Sequence, residues 1–104
     1  MADVFDAIGH PVRRQVLDLL RTGPRPVHQI APAFDMSRPA VSQHLKVLLD
    51  AGLVVERKVG RERHYQLDGR PLREVEDWVA AYELFWRERM QALGRVLDET
   101  TGKG

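Results

Sequence analysis

The hydrophobic period of the chain changes at Gly52, and this change constrains the fold more than any other feature of the sequence. Before Gly52, apolar residues recur every three to four positions, which is typical of amphipathic helices. After Gly52 this period stops, and 53–59 and 62–67 read as two short strands separated by the turn signal at Gly60-Arg61. In the second strand Tyr65 and Leu67 alternate with polar residues. Helical spacing returns over 71–98. A β-hairpin that lies between helical segments is therefore predicted.

The segments before the hairpin are predicted to be helices. The first covers 2–9, and the second begins at Pro11, because proline is favourable in the first turn of a helix. A short helix begins at Val27, and a longer one begins at Ser37, which is a strong N-cap type. The sequence thus predicts a mainly α fold with a β-hairpin, in the order α-α-α-α-β-β-α.

Residues 27–51 have the arrangement of a helix-turn-helix, in which a short helix and a tight turn precede a longer second helix. The hairpin at 53–67 follows directly. These patterns predict a helix-turn-helix followed by a β-hairpin, within a single domain over 1–104.

Charge is distributed unevenly along the chain. The formal net charge is only +1, which by itself argues against binding to nucleic acid. However, residues 8–66 carry ten basic and five acidic side chains, whereas both ends are acidic. Such asymmetry favours a protein that meets a polyanion on one face, although a solvated surface could also carry it.

The outer face of the second helix of the helix-turn-helix, together with the hairpin, carries the candidate DNA-contacting residues. Gln43 suits the adenine edge in the major groove, and Arg38 and Lys46 suit backbone phosphates. Small Ala40 would allow close approach to a base. The predicted residues are Ser37, Arg38, Pro39, Ala40, Ser42, Gln43, His44 and Lys46 on the helix and Arg57, Lys58, Arg61 and Arg63 on the hairpin. For His44, packing at the core edge remains an equal alternative to DNA contact.

The last helix is too long and too apolar for a domain of this size to cover. A helix over 71–98 would be roughly 40 Å long at about 1.5 Å per residue. Its apolar stripe predicts a dimer interface formed by Val75, Trp78, Val79, Tyr82, Phe85, Trp86, Met90, Leu93 and Leu97. The aromatic residues among them leave a second interpretation open, a pocket for a small organic effector, although aromatic side chains also dominate ordinary interfaces.

Several function classes are excluded or disfavoured by what the sequence lacks. It has no cysteine, so disulfides, thiolate metal sites and cysteine nucleophiles are excluded. It contains no glycine-rich phosphate loop and no nucleophile motif, and an enzyme is therefore not expected. No apolar run approaches the roughly 20 residues of a membrane span, and no signal peptide is apparent. We expect a cytoplasmic protein.

The run MSRPAVSQHLKVL at 36–48, continued by DAGLV at 50–54, closely resembles the recognition helix of the ArsR/SmtB family of bacterial transcriptional repressors. The stretch AIGHPVRR at 7–14 is similar to the first helix junction of that family, and GRERHYQL at 60–67 is similar to its wing. The resemblance covers about 2–98, nearly the whole chain.

This resemblance implies that the fold is a winged helix-turn-helix, with the hairpin at 53–67 as its wing. It also implies a homodimer that binds a double-stranded DNA operator of two-fold symmetry and represses transcription, associated with the bacterial nucleoid. It further implies that the first and last helices, 2–9 and 71–98, build the dimer interface. Val4, Phe5 and Ile8 of the first helix therefore join the predicted interface residues.

The chain departs from the family in the residues that bind metal. Many relatives sense metals through cysteines before the recognition helix or through histidines on the last helix. Here 27–31 reads VHQIA and the last helix has no histidine, so the chain resembles the metal-independent branch, with no cofactor. The alternatives are a metal-responsive repressor with an atypical site, and a winged helix used for protein–protein docking.

Overall fold

The computed structural model describes the backbone of residues 3–101 and the side chains of residues 3–95. Ala2 of the first predicted helix and the side chain of Leu97 lie outside the described residues. The chain divides into two compact units, one up to Arg73 and one from Glu74 onward. The helix-turn-helix and the hairpin both belong to the first unit.

The helices are α1 (Val4–Ile8), α2 (Pro11–Leu20), α3 (Val27–Ile30), α4 (Arg38–Asp50) and α5 (Leu72–Thr101), and α5 continues into the second unit. Side-chain caps mark where α2 and α4 begin, whereas α3 has no side-chain cap. The Ser37 hydroxyl accepts a hydrogen bond from the backbone N–H of Ala40 at 3.2 Å, and His10 Nδ1 accepts one from the N–H of Val12 at 3.1 Å. These bonds satisfy N–H groups that have no partner within the helix.

The hairpin is part of a three-stranded antiparallel sheet. Its strands are β2 (Val54–Val59) and β3 (Glu62–Leu67), and the turn between them contains Gly60 at φ 64°, a backbone conformation that favours glycine. The short strand β1 (Arg25–Pro26) adds to the other edge of β3, where Pro26 lies opposite His64. The sequence predicted the hairpin but not β1.

The core of the first unit lies where α2, α3 and α4 meet the sheet. Its most deeply buried side chains, each no more than 2% exposed, include Val16, Ile30, Val41, Leu45, Leu48, Leu53 and Val54. They come from elements far apart in sequence, and the spacing of Val41, Leu45 and Leu48 is the one that predicted the inner face of α4. This face fixes how α4 is rotated about its own axis.

The link between β3 and α5 is closed by a local ion pair. The Arg70 guanidinium donates to the Asp68 carboxylate at 2.7 Å, and the backbone N–H of Arg70 donates to the same side chain at 3.1 Å. These bonds lower the pKa of Asp68 to about 2. The bend before α5 is therefore held by a carboxylate that stays ionised at neutral pH.

Up to Thr101, where the described backbone ends, the second unit is the part of α5 that begins at Glu74. Aromatic rings follow one another along it, with the centroids of Trp78 and Tyr82 5.2 Å apart and those of Tyr82 and Trp86 6.2 Å apart. The Arg89 guanidinium lies 4.8 Å from the centre of the Phe85 ring. The helix thus carries a continuous aromatic row on one side.

Candidate nucleic-acid interface

The outward face of α4 is available for contact with a ligand. Ser42, Gln43 and Lys46 are exposed, and so are Arg38 and Pro39 in the first turn. Two further residues predicted to contact DNA are less available for it. Ala40 is half-buried, and the hydroxyl of Ser37 already caps the helix. The side chains free to reach a partner are therefore concentrated in the N-terminal half of α4.

His44 lies at the edge of the core and is part of a hydrogen-bond network. Because arginine has no acceptor atom, the 3.1 Å contact from the Arg13 guanidinium to His44 Nδ1 makes the imidazole the acceptor. Arg13 also donates to the carbonyl oxygens of Ala7 at 2.7 Å and Asp6 at 3.0 Å. The His10 ring lies 4.5 Å from that of His44. The network ties α4 to the end of α1.

The surroundings of His44 favour its neutral form. Burial lowers the pKa of this imidazole, and the neighbouring His10 and Arg13 lower it further. A neutral imidazole that accepts from Arg13 is what the geometry requires. The contact with Arg13 is one that packing at the core edge would produce, and DNA contact by His44 stays a prediction.

The wing presents positive charge on both faces of its sheet. Arg57, Lys58, Arg61 and Arg63 are all exposed. Lys58 lies directly opposite Arg63 across the two strands, an arrangement of like charges that normally weakens a hairpin. Arg63 is partly compensated by a 3.1 Å ion pair with Glu56. A hairpin in which Lys58 and Arg63 lie side by side is suited to an anionic partner.

An open groove of about 500 Å³ lies between the wing and the helix-turn-helix. It brings together predicted residues from the two elements, since Arg38 and Ser42 of α4 face the same space as Arg61 and Arg63 of the wing. Its remaining lining residues are Pro26, Val27, His28, Glu62 and Tyr65. Gln43, Lys46, Arg57 and Lys58 are not among the residues that line it.

A cluster that the sequence analysis did not identify lies at the groove: Glu62 and His28 line it, and His64, which is not among the lining residues, contacts Glu62. Glu62 contacts two imidazoles, with 3.6 Å from its Oε1 to His28 Nδ1 and 3.3 Å from its Oε2 to His64 Nε2. His28 and Glu62 are far apart in sequence, so no local pattern could have paired them. Burial, followed by the nearby Glu56, raises the pKa of Tyr65 at the base of the groove.

The residues predicted for a dimer interface differ in how much surface they offer. Val4 is only 3% exposed within the single chain and has little left for a partner. Phe5, Ile8, Val75 and Val79 are half-buried. The most accessible members, between 43% and 65% exposed, are Trp78, Tyr82, Phe85, Trp86, Met90 and Leu93.

Two further searches of the described residues bear on function. Over 3–95, no group of three or more histidine, aspartate or glutamate side chains has an arrangement that could hold a metal ion. Among the helices in the part of the chain that the structure describes, none combines the length and the hydropathy needed to cross a lipid bilayer.

Comparison with known proteins places this arrangement in a family. The family model described as "bacterial regulatory protein, arsR family" matches residues 10–55, from the N-cap of α2 into β2. The transcriptional repressor SdpR of Bacillus subtilis is 35% identical over 79 residues, which are 76% of this chain and 88% of that protein.

Solved structures agree with the sequence comparison. The crystal structure of an ArsR family transcriptional regulator superimposes with a TM-score of 0.72 at 34% identity, covering 84% of this chain and 97% of that one. A second match, at 33% identity and a TM-score of 0.60, covers 75% of each chain; it is the homodimeric winged helix-turn-helix DNA-binding domain of a possible ArsR-family regulator from Mycobacterium bovis. The chain therefore belongs to the ArsR family of bacterial regulatory proteins, and its fold is a winged helix-turn-helix.

Proposed function

We propose that this chain is a transcriptional repressor that binds an operator of two-fold symmetry as a homodimer. Membership in a family of regulatory proteins agrees with the prediction of a regulator rather than an enzyme. The observation that carries the proposal is the groove in which Arg38 and Ser42 of α4 face Arg61 and Arg63 of the wing. Two elements separated in sequence there present cations to one space, as binding to a phosphate backbone requires.

In the proposed complex, α4 enters the major groove of DNA and the wing follows the adjacent backbone. Gln43 is the residue proposed to read a base, since its amide can pair with adenine N6 and N7. Lys46, Arg61 and Arg63 contact phosphates and carry no sequence information. His44, held by Arg13, positions α4 rather than reading DNA.

The homodimer is supported by α5 and by a relative. The M. bovis domain is described as homodimeric, and the aromatic row of α5 is about half exposed in a single chain. Covering these rings with the same helix of a second copy would remove them from water. Two copies of α4 would then reach successive major grooves, about 34 Å apart. An organic effector bound among the same rings stays an alternative use of this surface.

The experiment that tests the function is selection of bound duplexes from a random pool, followed by mobility shifts at several salt concentrations. We expect an enriched motif with two-fold symmetry and an affinity that falls steeply with salt, since phosphate contacts release counterions. Replacing Gln43 by Ala should relax the preference at one position of each half-site. Replacing Lys46 or Arg63 by Ala should weaken binding to all duplexes and lower the salt slope by about one.

Arg21→Ala is the matched control, since it removes one exposed arginine that lies outside the groove. Its salt slope should equal that of the unmodified protein. An unchanged motif in Gln43→Ala contradicts the proposed base contact. Binding that is insensitive to salt in the unmodified protein contradicts the DNA-binding function and favours protein docking. A confirmed function places the protein on the chromosome in the bacterial cytoplasm.

A further inference from the structure

The four histidines of the chain form two pairs in the first unit, and the pairs have opposite electrostatic surroundings. His10 and His44 lie against the Arg13 guanidinium, on the side of α4 that faces α1 and α2. His28 and His64 lie against the carboxylate of Glu62, where α3 meets the wing. One pair therefore contacts a cation and the other an anion, and Arg57 of β2 also lies opposite His64 across the two strands.

The pair at Glu62 connects two elements of the DNA-binding unit. His28 belongs to α3, whereas Glu62 and His64 belong to β3, so the carboxylate bridges the helix-turn-helix and the wing. The three side chains stay accessible, with 49% of His28, 51% of Glu62 and 25% of His64 exposed. Protons can thus exchange with solvent at all three.

Glu62 has an unfavourable position for a protein that binds a polyanion. It is the one acidic side chain among the residues that line the groove, where it faces Arg38 of α4 and Arg61 and Arg63 of the wing. A phosphate that enters the groove is attracted by the three guanidinium groups and repelled by this carboxylate. Neutral imidazoles leave the repulsion in place, whereas imidazolium ions cancel it.

Histidine is the side chain that ordinarily changes charge between about pH 5 and pH 8. An imidazolium has two N–H donors, so that one can donate to Glu62 while the other remains for a phosphate oxygen. Tyr65, which also lines the groove, stays neutral across this range because burial raises its pKa. Glu56, which interacts with Tyr65, is paired with Arg63 at 3.1 Å.

We propose that His28 and His64 are further DNA-binding residues, which contact the phosphate backbone as imidazolium ions, and that Glu62 couples their protonation to DNA binding. Affinity for DNA then rises as the pH falls from about 8 to about 6. This role of the histidines rests on the proposed DNA-binding function. It assigns α3 a direct part in holding DNA, which the sequence analysis confined to α4 and the wing.

The experiment needs no knowledge of the operator. A fluorescent duplex of mixed sequence, about 30 base pairs long, is bound at constant low salt, because phosphate contacts dominate under these conditions. If one proton is taken up per complex, affinity changes about tenfold per pH unit near neutrality, and we expect a gain of at least about tenfold between pH 8 and pH 6.

Variants separate the proposed groups. Glu62→Gln should bind at pH 8 about as tightly as the unmodified protein does at pH 6, since the repulsive charge is gone. The double variant His28→Gln/His64→Gln should bind as weakly at pH 6 as the unmodified protein does at pH 8. His10→Asn is the matched control, since it removes one histidine of the other pair and retains a capping side chain; its pH dependence should equal that of the unmodified protein. Melting temperatures show that each variant is folded.

Calorimetry in buffers of different ionisation enthalpy counts the protons taken up on binding. We expect roughly one to two protons for the unmodified protein near pH 7 and close to none for the double variant. If the double variant keeps the full pH dependence or proton uptake, the role assigned to His28 and His64 is wrong, while DNA binding itself stands. If no duplex binds at any pH, the proposed function fails and this inference fails with it.

Discussion

The two units of the chain differ in how far their apolar side chains are exposed. In the first unit Val16, Ile30 and Leu48 are fully buried. In the second, Trp78 is 55% exposed and Trp86 50% exposed, although both side chains are larger than those of the core. The first unit encloses its own core within one chain, whereas the aromatic face of α5 has surface left to bury.

This difference separates the residues that maintain the fold from those proposed to control assembly. Burial of apolar surface contributes about 25 cal/mol per Å². Burying the half-exposed rings of α5 against a second copy would therefore stabilise a dimer. A core substitution in the first unit should therefore change the free energy of unfolding, and a substitution on the aromatic face of α5 should change the dimer dissociation constant. The following predictions test that separation, from the largest expected effect to the smallest.

The same substitution at a buried and at an exposed leucine should have very different costs. Leu48→Ala opens a cavity in the core of the first unit and should lower the free energy of unfolding by about 2–5 kcal/mol. Leu84→Ala removes a side chain that is 58% exposed and should change it by no more than about 0.5 kcal/mol. Urea titrations at one protein concentration measure both. Similar losses for the two variants would show that the units do not differ as described.

Trp86→Ala should affect assembly more than folding. Aromatic anchors at interfaces often contribute about 2 kcal/mol or more, so the dimer dissociation constant should rise by about 30-fold or more in sedimentation equilibrium. Leu84→Ala is the control on the same helix, because position 84 lies about 200° around the axis from Tyr82, away from the aromatic row. A chain that is monomeric at all concentrations, or a Trp86→Ala variant that assembles normally, contradicts the proposed interface.

Acid should weaken the first unit through His44. The pKa of this imidazole is lowered in the folded state by burial and by its neighbours His10 and Arg13, so the unfolded chain binds the proton more readily. Stability from this site is complete above the ordinary value near 6.5 and is lost as the pH falls from there toward the lowered value. We expect a decrease of melting temperature between about pH 7 and pH 5 that is smaller in His44→Gln. An equal decrease in both proteins would assign the acid sensitivity to other groups.

Much of the first unit could be predicted because its signals are local. The period of Val41, Leu45 and Leu48, the cap at Ser37 and the turn signal at Gly60-Arg61 each depend on neighbouring residues. They recovered α4 and the hairpin with small shifts at their ends. Strand β1 could not be found in the same way. It has two residues, one of them proline, and exists because β3 lies beside it.

In the candidate site, too, local features could be predicted from the sequence and contacts between distant residues could not. Exposure of Ser42, Gln43 and Lys46 follows from the helical period alone. By contrast, two of the contacts join different elements: Arg13 lies 31 positions before His44, and His28, one of the two partners of Glu62, lies in α3. A single sequence holds no signal for such pairs, so neither contact could be predicted.

The division of α4 into an inner and an outer face has a consequence for how such regulators diversify. Val41, Leu45 and Leu48 anchor the helix, while Ser42, Gln43 and Lys46 are exposed. Target preference can thus be altered at the outer positions without repacking the core, and surface substitutions of this kind usually change stability by less than about 0.5 kcal/mol. The same scaffold could be retargeted, by evolution or in the laboratory, through a few codons of a single helix.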